Sequence, residues 1–196
     1  GCLQLQPLPG DSRSCQLAPV GFPFEALVTG AVTPLDAARS RFALAGLVVD
    51  LPPGIAWVDS AGRLADRSSA RDGDVMRLGL VSTAVPGSMV ASTVDRTDIA
   101  VIPPAGARIE GWMTGSPQRS VVTVLGRTIQ MDAETRAGLR GCDSATGTLT
   151  DVSPDSFPGR TFAGTQIRWI VATIMPLADA SWRAVSIEAY QDAFCD

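Results

Sequence analysis

The chain has 196 residues, 45% of them hydrophobic and 18% charged, and a net charge of −4. It has no histidine, lysine or asparagine, so all 16 basic residues are arginine. These absences remove Ser-His-Asp and Cys-His catalysis, imidazole metal ligation, Schiff-base chemistry and the P-loop lysine. The arginines are scattered singly along an acidic chain, which leaves no footprint for nucleic acid.

The balance of apolar and charged residues belongs to a folded protein. Its length fits a single β-rich domain over residues 24–196, preceded by an arm at 1–23. No apolar run reaches the roughly 18–20 residues that span a bilayer. The first residues lack the charged and apolar regions of a signal peptide, so an exported protein would be in its mature form. Gly1-Cys2 leaves open a lipid on Cys2.

The arm holds Pro7, Pro9, Pro19 and Pro23 and reads as extended chain without structure of its own. Within it, Cys2-Leu3-Gln4-Leu5-Gln6 alternates with period two, as a short strand with one apolar face does. Leu3 and Leu5 are the expected subunit contact, by strand addition to a neighbouring copy or, alternatively, to the edge of their own domain.

Thr33-Pro34-Leu35-Asp36 has the capping residue, proline and acid of a helix start, and Leu35, Ala38, Phe42 and Ala45 share a face. A short helix ending near Gly46 is therefore expected. From Leu47 the signals are β. Branched runs at Leu47–Leu51, Ile55–Val58, Val75–Ser82, Met89–Val94 and Ile99–Ile102 are divided by Pro- and Gly-containing turns. Arg108–Met113, Ser120–Leu125 and Thr128–Met131 continue the series, with Gly126-Arg127 as a two-residue hairpin turn. A second short helix is expected at Ala133–Leu139, capped by Asp132. The longest strands follow, Gln166–Met175 and Ser181–Tyr190. This rhythm predicts a mainly β protein: an antiparallel sandwich, immunoglobulin-like or jelly-roll-like, with one or two short helices.

Four cysteines, none in a CxxC spacing and with no histidine to complete a zinc site, favour disulfides. Of the three connectivities, Cys2–Cys15 and Cys142–Cys195 are preferred, because one closes the arm and the other ties down the C-terminal segment. Four reduced core cysteines are the alternative. Disulfides would place the protein outside the cytoplasm: secreted, on a cell surface or on a virion.

Trp57, Trp112, Trp169 and Trp182 all fall in expected strands, where aromatics are usually core, although a tryptophan-bearing face for glycan is the competing reading. Asp66, Asp72 and Asp74 lie close together without EF-hand spacing and read as a solvated turn rather than a calcium site. Ser12, Ser14 and Ser88 sit near glycines, but there is no G-x-S-x-G elbow. Paired carboxylates from separate strands are the one route left to a hydrolase. No catalytic residue, cofactor or metal ligand is assigned.

Val49-Asp50-Leu51-Pro52-Pro53-Gly54-Ile55-Ala56-Trp57-Val58 resembles the DxLPxGxxFV signature of the immunoglobulin-like repeat modules of bacterial surface proteins. The likeness covers about 60 residues at best, with Gly73–Val94 as the later strands, and lacks the Asn-rich final strand of those modules. It implies a β-sandwich that serves as stalk or adhesive spacer. The expected function is that of a non-enzymatic structural or interaction subunit of an extracytoplasmic assembly: a surface filament, an adhesive appendage, or a phage decoration or fibre protein. Its partners would be copies of itself or neighbouring structural proteins. The alternative is a monomeric exported module that binds a glycan or small ligand.

Overall fold

A computed structural model of the chain describes residues 6–7, 15–16, 24–55, 57–58, 63–84, 88–96, 106–140, 149–158 and 169–190. In chain order the strands are β1 (Gln6–Pro7), β2 (Cys15–Gln16), β3 (Ala26–Pro34), β4 (Arg41–Leu44), β5 (Leu47–Asp50), β6 (Trp57–Val58), β7 (Val75–Ser82) and β8 (Ser88–Arg96). They continue with β9 (Ala107–Trp112), β10 (Thr114–Gln118), β11 (Val121–Val124), β12 (Arg127–Gln130), β13 (Arg136–Arg140), β14 (Leu149–Val152), β15 (Trp169–Pro176) and β16 (Trp182–Tyr190). A 3-10 turn at Arg67–Ser69 lies between β6 and β7. The protein is mainly β. Val75–Ser82 is a strand with the expected bounds, and the two long C-terminal strands lie within a few residues of theirs. The expected run Ile99–Ile102 lies outside the described residues.

Neither expected helix forms, and side-chain bonding to the backbone explains both departures. After β3, Asp36 accepts from the Ser40 amide at 2.8 Å and from the Ser40 hydroxyl, which closes a turn where a helix would have begun. The chain then alternates as a strand, burying Phe42 and Leu44, while Leu35 stays 47% exposed. At the second position Asp132 accepts from the amides of Glu134 (2.9 Å) and Thr135 (3.1 Å), as a cap would. The Thr135 hydroxyl then donates to the Ala184 carbonyl at 2.8 Å, and the chain leaves as β13 alongside β16. The hairpin turn expected at Gly126-Arg127 is displaced by one residue. Val124 pairs with Arg127, so the turn residues are Leu125 and Gly126, with φ of 52° and 68°. Ala45-Gly46 turns in the same way, with φ of 49° and 77°. Positive φ at both central residues gives the twist that suits a two-residue hairpin.

The expected antiparallel sandwich gives way to two closed rings of strands. In the first, β3 pairs antiparallel with β4 and β4 with β5; β5 runs parallel to β8, and β8 pairs antiparallel with β7, which returns to β3. In the second, β9 and β10 act as one strand bent at Met113. β10 pairs with β11 and β11 with β12; β12 runs parallel to β16, and β16 pairs with β15, which returns to β9. Numbered within each ring, the order is 1-2-3-5-4-1 both times, closed by a parallel pair between strands 3 and 5.

The match extends to register. Val49 faces Met89 across the first parallel closure, and Ile129 faces Trp182 across the second. The strand 4–5 ladder shifts between Gly79 and Leu80 in one ring and between Thr173 and Ile174 in the other. Each ring also carries a side strand parallel to its strand 5, β6 on β8 and β13 on β16. Strand 1 keeps the repeat in its residues: Ala26-Leu27-Val28-Thr29-Gly30-Ala31-Val32-Thr33 against Ala107-Arg108-Ile109-Glu110-Gly111-Trp112-Met113-Thr114. The chain is thus a duplicated five-stranded barrel.

The two barrels join where their first strands pair antiparallel, Val28 opposite Ile109, Ala26 opposite Gly111 and Gly30 opposite Ala107. Because Ala26 corresponds to Ala107 and Gly30 to Gly111, this pairing is reciprocal, as about a two-fold axis. The two glycines make the close approach feasible. A Cβ on Gly30 would lie 2.8 Å from Leu44 Cδ1, and one on Gly111 would lie 2.6 Å from Ala26 Cβ and 3.0 Å from Val124 Cγ1. Leu44 and Val124 occupy the same place in their barrels. One apolar core runs through both, with Val28, Phe42, Leu78, Ile109, Ile129 and Trp182 each fully buried.

Candidate functional site

The reciprocal arrangement creates two seams, each formed by the strand 2–3 hairpin of one barrel against the strand 4–5 end of the other. In the first seam the Ala45-Gly46 hairpin meets Pro176 and Trp182. Trp182 is fully buried and donates its ring N–H to the Ala45 carbonyl at 2.8 Å. In the second seam the Leu125-Gly126 hairpin faces Ser82 and Met89, which correspond to Pro176 and Trp182. There the walls stay apart, leaving a groove of about 590 Å³. Thr83 and Ser88 complete one side, and Arg127, Thr128 and the loop Asp179–Ser181 the other. This is within the roughly 300–1,000 Å³ typical of small-molecule sites.

Arg127 is the cation of the groove. It lies over the Trp182 ring, 5.8 Å from the centroid, and donates to the Ala180 carbonyl (2.5 Å) and the Gly46 carbonyl (3.0 Å), so it ties the two seams together. Partial burial pulls its guanidinium below the usual arginine value, though not enough to discharge it. No carboxylate among the described residues comes within ion-pair distance of it.

The anion is Asp179, which accepts from the Ser181 hydroxyl (2.5 Å) and the Ser181 amide (3.0 Å). The Ser181 hydroxyl, followed by its amide, holds this carboxyl below the ordinary aspartate range, so it is ionised at neutral pH. Gln130 donates to the Ser181 hydroxyl at 2.9 Å and fixes the loop from β12. Opposite, Ser82 donates to both oxygens of Glu25 at 2.8 Å, and the Thr83 hydroxyl donates to the Ser88 carbonyl at 3.1 Å. The groove therefore offers one fixed positive charge, one fixed negative charge and a set of hydroxyls.

Most site residues expected from sequence lie elsewhere. Leu3, Leu5, Cys2, Cys142 and Cys195 are outside the described residues, as are Ser12 and Ser14. Cys15 is described only in its backbone, where it pairs with Pro7. Asp66 caps the 3-10 turn through the Ser68 amide (2.9 Å), Asp72 accepts from the Thr33 hydroxyl (2.7 Å), and Asp74 accepts from the Arg71 amide (2.7 Å). All three serve turns, and among the described residues no group of acids, cysteines and histidines is placed to hold a metal. Trp57, Trp169 and Trp182 are buried, and Trp112 packs edge-on against Trp169 at 5.1 Å, so no exposed tryptophan platform forms. Of the serines singled out, Ser88 lines the groove. Arg127 carried no mark in the sequence beyond its place in the expected two-residue hairpin turn.

No known protein family, curated protein or solved structure matches this chain.

Proposed function

We propose that the protein is a non-enzymatic structural or interaction subunit of an extracytoplasmic assembly, acting through non-covalent contact. The observation that carries this reading is the fusion of two like barrels through reciprocal strand pairing and interlocked hairpins, which makes one stiff block rather than two parts hinged about a cleft. The ring order 1-2-3-5-4-1 is that of OB-type Greek-key barrels, whose loops and strand 2–3 faces serve recognition; this is an analogy of fold. The segment resembling bacterial surface modules supplies β5, the turn after it and β6 of the first barrel.

Disulfides fit the same reading. The parallel strands β13 and β16 end side by side, Arg140 opposite Tyr190, a short step along the chain from Cys142 and Cys195. The arm, with Leu3 and Leu5, is the contact we assign to neighbouring subunits. The test is the mass of native protein with and without reductant and thiol alkylation, together with its assembled mass in solution. Two disulfides and an oligomer lost on deleting residues 1–12 are expected; free thiols in a monomer would overturn the proposal.

A further inference from the structure

The duplication supplies an internal control for the groove. The two seams are built from corresponding positions, so identical packing is the baseline, and every departure in one seam marks where the halves differ. In the filled seam the strand 3 residues after the hairpin are Leu47, fully buried, and Val48. At the matching positions the groove has Arg127 and Thr128. Strand 5 places Trp182 at the filled seam and Met89 at the groove. The groove thus has methionine in place of the aromatic plug, and a cation and a hydroxyl in place of two aliphatic side chains.

The cation is costly there. It is partly desolvated, and two of its five N–H bonds end on backbone carbonyls, while the others have no acceptor among the described residues. The same two carbonyls and the Trp182 ring hold it in one orientation before any ligand arrives, which is what a preorganised anion site requires. Arginine donates to carboxylate through paired N–H bonds. Around it stand Asp179, an acceptor for ligand hydroxyls, and the hydroxyls of Thr128 and Ser88. Such a wall suits a small molecule that carries one carboxylate and several hydroxyls.

We propose that the groove between the barrels binds an acidic sugar of the uronate type, with the sugar carboxylate on Arg127 and sugar hydroxyls on Asp179 and Thr128. This site is separate from the arm-mediated assembly and stands or falls without it.

The test is calorimetric titration of the full chain with D-glucuronate, D-glucose and acetate at low salt. Glucuronate is expected to bind at least about tenfold more tightly than either glucose or acetate, since each lacks one half of the recognition. Arg127→Gln is expected to weaken glucuronate about tenfold or more. Thr128→Trp, which fills the groove from a strand position that tolerates aromatics, is expected to abolish binding while the far-ultraviolet spectrum and thermal midpoint stay near those of the parent. If Arg127→Gln fails to fold, Thr128→Trp alone decides. No glucuronate binding, glucose or acetate binding as tightly as glucuronate, or full binding by a folded Thr128→Trp would each overturn the proposal.

Discussion

The two barrels share strand order, register and even the position of their ladder shift, yet their seams differ. One is closed by Trp182 with its ring N–H bonded to Ala45, and the other is left open beside Met89. A shared backbone fixes where the seams lie, and a handful of side chains decides whether each is packing or site. Function in such a molecule is best sought where the halves disagree, because agreement reports what the fold needs.

The comparison breaks most readily at Trp182. Trp182→Ala removes a fully buried aromatic and the ring support under Arg127, and should cost about 3–5 kcal/mol in denaturant unfolding. Met89→Ala, which borders an existing groove, should cost at least about 1 kcal/mol less. Equal losses would mean that the seams are equivalent in energy despite their difference in shape.

The glycines sharpen the contrast next. Gly111→Ala sets a methyl 2.6 Å from Ala26 Cβ and 3.2 Å from its Cα, so backbone must move, and a loss of about 1–3 kcal/mol is expected. The closest atom to Gly30→Ala is the tip of Leu44, which can rotate away, so its measured loss should be the smaller of the two.

The hairpins come third. Ala45 and Leu125 both take left-handed φ, but Ala45 is half-buried whereas Leu125 is buried in the core. Ala45→Asn should raise stability by about 0.5–1 kcal/mol, because asparagine tolerates this conformation. Leu125→Asn should lower it, because the lost burial outweighs the backbone gain.

The smallest effect is expected in acid. Three turn carboxylates sit below the ordinary aspartate value. At Asp36 the main cause is the Ser40 hydroxyl, and at Asp179 the Ser181 hydroxyl. At Asp132 burial works upward and is outweighed by the Glu134 amide, the Thr135 hydroxyl and Arg183. A folded-state pKa below the unfolded one gives stability that is present above the unfolded value and lost as pH falls through the folded value, here below about pH 4. Two of these turns belong to the second barrel and one to the first. Amide shifts of Ser40, Glu134, Thr135 and Ser181 followed from pH 6 to 2 should therefore report low midpoints, with more affected turns in the second barrel. Midpoints near 4 would remove the effect.

Strand content was legible in the sequence because period-two burial is written into runs such as Val75–Ser82. The two expected helices do not form for a physical reason: Asp36 and Asp132 look like caps, and they do bind amides, but the chain after each is claimed by a neighbouring strand. Ring closure was hidden because it depends on parallel pairs between residues 40 and 53 positions apart, Val49 with Met89 and Ile129 with Trp182, which no local pattern records. The duplication did leave a trace in the matching Ala-x-Val/Ile-x-Gly-x-Val/Met-Thr of β3 and of β9 with the start of β10, and a search for internal repeats is what exposes it. The groove was out of reach, since Arg127 and Met89 are brought together only by the meeting of the barrels.

The pairing of Ala26–Gly30 with Ala107–Gly111 also governs how the chain reaches its native state. Each barrel alone would present that stretch of strand 1 as a bare edge, a template for any complementary strand. The complement each edge fits is the other, some 80 residues away, so loop-closure entropy is met late and folding should be slow and concerted. Two separately expressed halves would be driven to find each other, or a second copy of themselves, before either could rest in solution as a finished object.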